Sequence, residues 1–169
     1  SNVPRSALAI DGLMRDAGFP DGVFQALLVG AGVVPRLIDD ARIVAVTLTG
    51  SEPAGMSVAS AAGRAIKKCV LELGGSDPFL VLDDADLAKA ARVATDARLI
   101  NSGQTCIAAK RFIIVDAVFD AFVANFTAEM QSRSVGDPLV RETAVGPQAR
   151  RELRDDVLEL GRHVRVDRP

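Results

Sequence analysis

Residues 43–49 (IVAVTLT) and 68–73 (KCVLEL) are short apolar runs rich in β-branched residues, separated by the small-residue stretch 53–66 (PAGMSVASAAGRAI). No other feature limits the fold as strongly. A strand, a glycine turn at Gly50, a helix-length segment and a second strand form a β-α-β unit, whose crossover is right-handed and whose strands are parallel. Upstream, Ala7, Ile10, Leu13, Met14 and Ala17 recur at helical spacing, with Asn2 as a cap and Pro4 in the first turn. A turn cluster follows at residues 18–22, then a strand over 23–29 (VFQALLV) and a short helix over 34–40. This portion therefore reads strand, helix, strand, helix, strand: one side of a doubly wound parallel α/β sheet.

The pattern restarts after Gly74-Gly75. Residues 78–82 (PFLVL) read as a strand, and Asp83 to Asp86 as a turn and cap leading into a helix over 87–101. Residues 111–115 (RFIIV) are a further strand, and Phe119, Phe122, Val123 and Phe126 mark one face of a helix. Gly136-Asp137-Pro138 is a loop, and residues 148–160 form a charged helix with Leu153, Val157 and Leu158 inward. The natural division is into 1–73 and 74–169.

Composition narrows the function. With 49% hydrophobic residues, 25% charged residues and a net charge of −2, the chain reads as globular. That charge gives no electrostatic case for nucleic acid or for an anionic membrane. No apolar run approaches the ~18 residues of a membrane span, and no signal peptide is recognisable. One histidine, His163, and no close Cys/His spacing argue against a metal site. Cys69 and Cys106 make no disulfide framework, which suggests a reducing cytoplasm. The chain opens on Ser1, has no Trp or Tyr and only 7 Phe, which together suggest a fragment.

Three places carry chemistry. Gly50-Ser51 ends a strand and opens a helix, where free N–H groups and the helix dipole favour a phosphate, although an ordinary turn has the same letters. Glu72 ends an apolar strand beside two glycines. It is either a partly desolvated general base or a solvated strand-end carboxylate. Cys106 follows Gly103-Gln104-Thr105 and is either an exposed nucleophile or a buried inert thiol. Cys69, inside a strand, reads as core. His163, Lys67-Lys68 and Arg150-Arg151 read as surface.

Taken together, Leu48-Thr49-Gly50-Ser51, Leu71-Glu72-Leu73-Gly74-Gly75 and Asn101-Ser102-Gly103-Gln104-Thr105-Cys106 resemble the aldehyde dehydrogenase superfamily in letters, order and spacing. Ser76-Asp77-Pro78, Ala109-Lys110-Arg111-Phe112, Val135-Gly136-Asp137-Pro138 and Val145-Gly146-Pro147 extend the resemblance over nearly the whole chain. Residues 75–79 and 106–112 look most like the bacterial succinate-semialdehyde branch.

The resemblance implies an NAD- or NADP-dependent enzyme that oxidises a small aldehyde. Cys106 would add to the aldehyde, hydride would leave for the nicotinamide, and Glu72 would activate the water that hydrolyses the thioester. The Cys106 N–H would be one oxyanion donor. Gly50 and Ser51 would lie against the cofactor diphosphate, and the backbone at Leu73 and Gly74 against the nicotinamide ribose and amide. Residues 1–73 would be the later part of the NAD(P)-binding domain and 74–169 the first part of the catalytic domain. Full-length members would be homo-oligomers. A second oxyanion donor and other cofactor contacts would lie outside this chain, so the isolated chain would bind cofactor poorly and turn over little. Three rivals stand beside this reading: a non-catalytic remnant, a coenzyme A-acylating enzyme, which Glu72 argues against, and a Cys–His hydrolase. Ala108 excludes a disulfide switch two residues after the nucleophile.

Overall fold

Residues 3–161 are described by a computed structural model, and the chain divides between Leu73 and Gly74 into two units. In the first, helix α1 spans Pro4–Asp16 and starts on proline, whose fixed φ suits a first helical position. Val3 stands at its cap with no side-chain cap bond. Asn2, the expected cap, and His163 lie outside the described residues. A 3-10 turn, Ala31–Val33, leads into α2, Val34–Asp39. Strand β1 (Ala45–Thr49), helix α3 (Glu52–Arg64) and strand β2 (Lys68–Glu72) complete the β-α-β unit.

Strands β1 and β2 are parallel, with Val46 opposite Cys69, Leu48 opposite Leu71 and Thr49 opposite Glu72. The period of two puts Val46, Leu48, Cys69 and Leu71 on the half-buried face. Ala61 and Ala62 of α3 and Ile38 of α2 are buried together, with Val46, Val58 and Cys69 packed against them. The small residues of α3 let this helix lie close to the sheet, and Cys69 packs as a small apolar residue. The opposite face, carrying Thr47, Thr49, Val70 and Glu72, is exposed. Lys67 closes α2: its Nζ donates to the Ile38 carbonyl and, at 2.6 Å, to that of Asp40, satisfying acceptors that a helix end leaves open. Arg42 donates to the Asp40 carboxylate from Nε at 2.9 Å and Nη2 at 2.6 Å, holding that carboxyl well below the usual carboxylate range.

Residues 23–29, expected as a strand, are irregular instead. Val23 N–H bonds back to the Pro20 carbonyl at 3.2 Å, and Val23, Leu27 and Leu28 are more than half exposed. Apolar, β-branched residues supply strand propensity but not a ladder partner, and no described strand pairs with this segment. The sheet of this unit therefore has two described strands rather than the expected three.

The second unit holds β3 (Pro78–Val81), α4 (Leu87–Leu99), β4 (Arg111–Ile114), α5 (Phe119–Gln131) and α6 (Arg151–Gly161). Strands β3 and β4 are parallel, with Phe79 opposite Phe112 and Val81 opposite Ile114. Asp86 caps α4, its carboxylate accepting from the Lys89 N–H at 3.1 Å. Val81, Ala91, Ala94 and Phe122 form the core. Phe79, Phe112, Phe126 and Phe122 make a chain of ring contacts with centroids 5.0–5.6 Å apart. Both units are thus parallel β-α-β layers of an α/β protein.

Several boundaries differ from expectation by one to three residues. Helix α4 stops at Leu99, because Asn101, Ser102 and Gly103 all have positive φ and cannot continue a right-handed helix. Helix α6 starts at Arg151, and Val157 and Leu158, expected inward, are more than half exposed, since no described element covers that face. Among the described residues no helix is long and apolar enough to cross a membrane, and no cluster of three or more His, Cys, Asp or Glu could hold a metal.

Candidate active site

Cys106 lies in a loop between α4 and β4, and the thiol is free and exposed. The loop leaves α4 through three successive left-handed residues, Asn101 (φ 50°), Ser102 (φ 55°) and Gly103 (φ 76°). Such backbone costs about 1–3 kcal/mol per non-glycine residue and persists only where neighbours hold it. Three neighbours do so. Ser102 Oγ donates to the Gly146 carbonyl at 3.1 Å, and Gln148 Nε2 donates to the Ser102 carbonyl at 3.0 Å. Gln104 Oε1 accepts from the Ala149 N–H at 2.9 Å. The Val135–Gly136 and Val145–Gly146 strings meet at the same place: Val135 bridges Val145, and Gly136 N–H donates to the Val145 carbonyl at 3.1 Å.

Beyond Cys106 the chain turns inward. Ala108 and Ala109 are buried, and Ala109 N–H donates to the Ala97 carbonyl of α4 at 3.0 Å. Lys110 Nζ donates to the Cys106 carbonyl at 2.8 Å. Cys106 is left at an outward apex, and its N–H has no hydrogen-bond acceptor among the described residues. An accessible thiol beside an uncommitted N–H can attack a carbonyl carbon and receive the resulting oxyanion.

Arg98, in the last turn of α4, escaped the sequence reading. Its Nη1 donates to the Ala109 carbonyl at 2.6 Å and its Nη2 to the Gly103 carbonyl at 2.7 Å. A basic residue in a helix's last turn, ahead of a turn cluster, is the signal that would have found it. Glycine suits position 103 on two counts: its φ is positive, and a Cβ would stand 2.6 Å from Arg98 Nη2 and 3.2 Å from the Arg98 carbonyl oxygen, so the guanidinium would have to shift. Gly103→Ala should destabilise this unit by about 1–3 kcal/mol, read as a lower urea midpoint. Gly63→Ala, in α3 with open space around it, should shift the midpoint slightly the other way.

In the first unit, Gly50 N–H donates to the Glu72 carbonyl at 3.0 Å, which extends the ladder by one residue. Ser51 is the N-cap of α3, yet its hydroxyl makes no cap bond. Glycine is not required at 50 by the fold. A Cβ there would meet only ordinary contacts, the nearest at 3.6 Å to Leu48. An uncommitted hydroxyl, a helix N-terminus and a residue without bulk fit a phosphate. The Leu73 side chain is committed to α3, where a Cβ on Gly55 would come within 2.8 Å of it. Gly74 is exposed. Glu72 is exposed as well, on the uncovered face of the β1–β2 sheet, so of its two readings the described residues give the solvated strand-end carboxylate.

The aldehyde dehydrogenase family is matched over residues 1–165. The chain is 53% identical over 159 residues to a succinate-semialdehyde dehydrogenase [NADP(+)] 1 of Mycobacterium ulcerans, covering 94% of this chain and 35% of the relative. It is 54% identical over 158 residues to a probable succinate-semialdehyde dehydrogenase [NADP(+)] of Synechocystis, again over 94% of this chain and 35% of the relative. Among solved structures it resembles the succinic semialdehyde dehydrogenase of Streptococcus pyogenes in complex with NADP+, with a TM-score of 0.90 and 40% identity over 94% of this chain and 35% of that one. The chain thus spans about a third of the length of these relatives. It belongs to the aldehyde dehydrogenase family.

Proposed function

We propose that this chain carries the nucleophile, the water-activating base and part of the diphosphate cradle of an NADP-dependent succinate-semialdehyde dehydrogenase. The observation that carries the reading is the exposed Cys106 thiol at the apex of a braced loop, beside an N–H with no acceptor among the described residues. The thiolate forms a C–S bond to the aldehyde carbon, and the carbonyl electron pair moves to oxygen, where the Cys106 N–H stabilises it. When bound, the nicotinamide cofactor accepts the hydride. The oxygen pair then re-forms the carbonyl as a thioester on Cys106. Glu72 takes a proton from water, water adds to the thioester carbon, the C–S bond breaks, and Cys106 leaves as thiolate with a carboxylate as product.

Gly50 and Ser51 receive the cofactor diphosphate at the start of α3, and the Leu73 and Gly74 backbone receives the nicotinamide ribose and amide. In this reading residues 1–73 belong to the cofactor domain and 74–169 to the catalytic domain of a homo-oligomeric cytoplasmic enzyme. NADP is preferred over NAD because the matched relatives carry it in their names. Glu72 favours water over coenzyme A as the acceptor of the acyl group.

A chimera tests this. Residues of this chain replace the matching third of the Mycobacterium ulcerans relative, and NADPH formation from succinate semialdehyde is followed. The expected result is turnover by the chimera and very little by the isolated chain. A folded chimera without turnover would contradict the proposal, and robust turnover by the isolated chain would contradict the need for the remaining parts.

A further inference from the structure

We infer that Arg98 is the positioning residue of the Cys106 nucleophile: its guanidinium holds the two ends of the loop so that thiol and N–H present to one carbonyl. This rests on the role proposed for Cys106 and goes beyond it. Arg98 is half-buried, and its fork spans the loop, with Nη2 on the Gly103 carbonyl at 2.7 Å and Nη1 on the Ala109 carbonyl at 2.6 Å. Cys106 lies midway between those two residues in sequence.

The grip has geometric consequences. Two charge-assisted bonds from one planar group fix the separation of Gly103 and Ala109 as well as their positions, which a single ammonium cannot do. The Ala109 N–H is held by the Ala97 carbonyl of the same helix at 3.0 Å, so both polar backbone groups of Ala109 are tied to the last turn of α4. Gly103 leaves the space that the guanidinium fills, since a Cβ there would lie 2.6 Å from Nη2. The apex itself, Thr105 to Ile107, is tied by a local turn and by one flexible lysine rather than by the helix. Ala108 N–H donates to the Thr105 carbonyl at 3.1 Å, Lys110 Nζ reaches the Thr105 carbonyl at 3.5 Å and the Cys106 carbonyl at 2.8 Å, and Ile107 is 75% exposed. Arg98 therefore sets the direction of the apex through its two ends. Catalysis that depends on aligning an attacking sulfur with an oxyanion donor is sensitive to displacements of about 1 Å.

The test compares two reactions of the same thiol in the full 169-residue chain, each followed by peptide mass spectrometry that separates Cys106 from Cys69. Iodoacetamide alkylates by direct displacement at carbon and uses no oxyanion donor. p-Nitrophenyl acetate acylates: sulfur bonds to the carbonyl carbon, oxygen takes the negative charge, and nitrophenolate leaves with the C–O electron pair. The variants are Arg98→Met and Arg98→Lys. Loss of alignment should slow acylation of Cys106 by ~10-fold or more in Arg98→Met, approaching the effect of a lost oxyanion donor. Alkylation should change by less than about threefold, and Arg98→Lys should recover part of the acylation rate.

Equal changes in both rates, or no change in either, would overturn the inference and reduce Arg98 to a structural residue. If Arg98→Met does not fold, the Arg98→Lys ratio of acylation to alkylation decides alone: a ratio equal to wild type overturns the inference. Failure of the underlying reading looks different. In that case wild-type Cys106 would acylate no faster than a small free thiol, whatever stands at 98.

Discussion

Cys106→Ser in the chimera should lower aldehyde oxidation by about 10³-fold or more, with the cofactor still bound and the melting temperature unchanged. The size of the effect follows from the chemistry of the apex. A thiol supplies a usable fraction of thiolate near neutral pH, whereas a hydroxyl needs an adjacent base. No described residue hydrogen-bonds to the Cys106 side chain, so a serine there finds no such base ready. Stability should hold because the thiol is exposed, and the braces from Arg98, Ser102, Gln104 and Gln148 run through groups that the substitution does not touch. Cys69→Ser should behave in the opposite sense. Its side chain packs against the Ile38, Ala61 and Ala62 cluster, so the variant should lose stability and keep the chemistry. Stopped-flow NADPH formation and thermal melts on the two variants separate these effects.

Glu72→Gln should uncouple the two halves of the reaction. Steady-state turnover in the chimera should fall by ~10²–10⁴-fold, the range that a general base supplies. The first turnover should survive, giving about one NADPH per site and an acylated Cys106 that persists. Glutamine keeps the shape of the side chain and removes its capacity to take a proton from water. Because Glu72 is exposed, the substitution should leave folding intact. The same variant decides between hydrolysis and acyl transfer. If coenzyme A drained the thioester, turnover in its presence would be unaffected by Glu72→Gln. If water does, coenzyme A will not restore it.

The first β-α-β layer is legible because the apolar, β-branched runs at residues 43–49 and 68–73 and the small residues of α3 agree on one answer. Residues 23–29 depart from the strand their composition predicts because composition reports propensity, while a strand also needs a partner for its backbone. Helix α4 ends before the boundary its apolar spacing predicts, since that spacing continues to Ile100 while Asn-Ser-Gly is itself a turn signal. Cys106 and Glu72 stood out as residue types beside glycines. Arg98 did not, since an arginine on a helix reads as solvated charge until the carbonyls it reaches are known. The Ser102 and Gln148 brace joins residues 44 and 46 positions apart, a contact that no local pattern carries.

The most direct measurement is the site of the covalent bond. The chimera carrying Glu72→Gln is mixed with NADP+ and succinate semialdehyde, quenched in acid and digested, and the acylated peptide is identified by mass spectrometry. The account predicts a succinyl thioester on Cys106, absent when cofactor is withheld. A folded, cofactor-binding chimera that forms NADPH without that thioester, or with the acyl group on another residue, would contradict it.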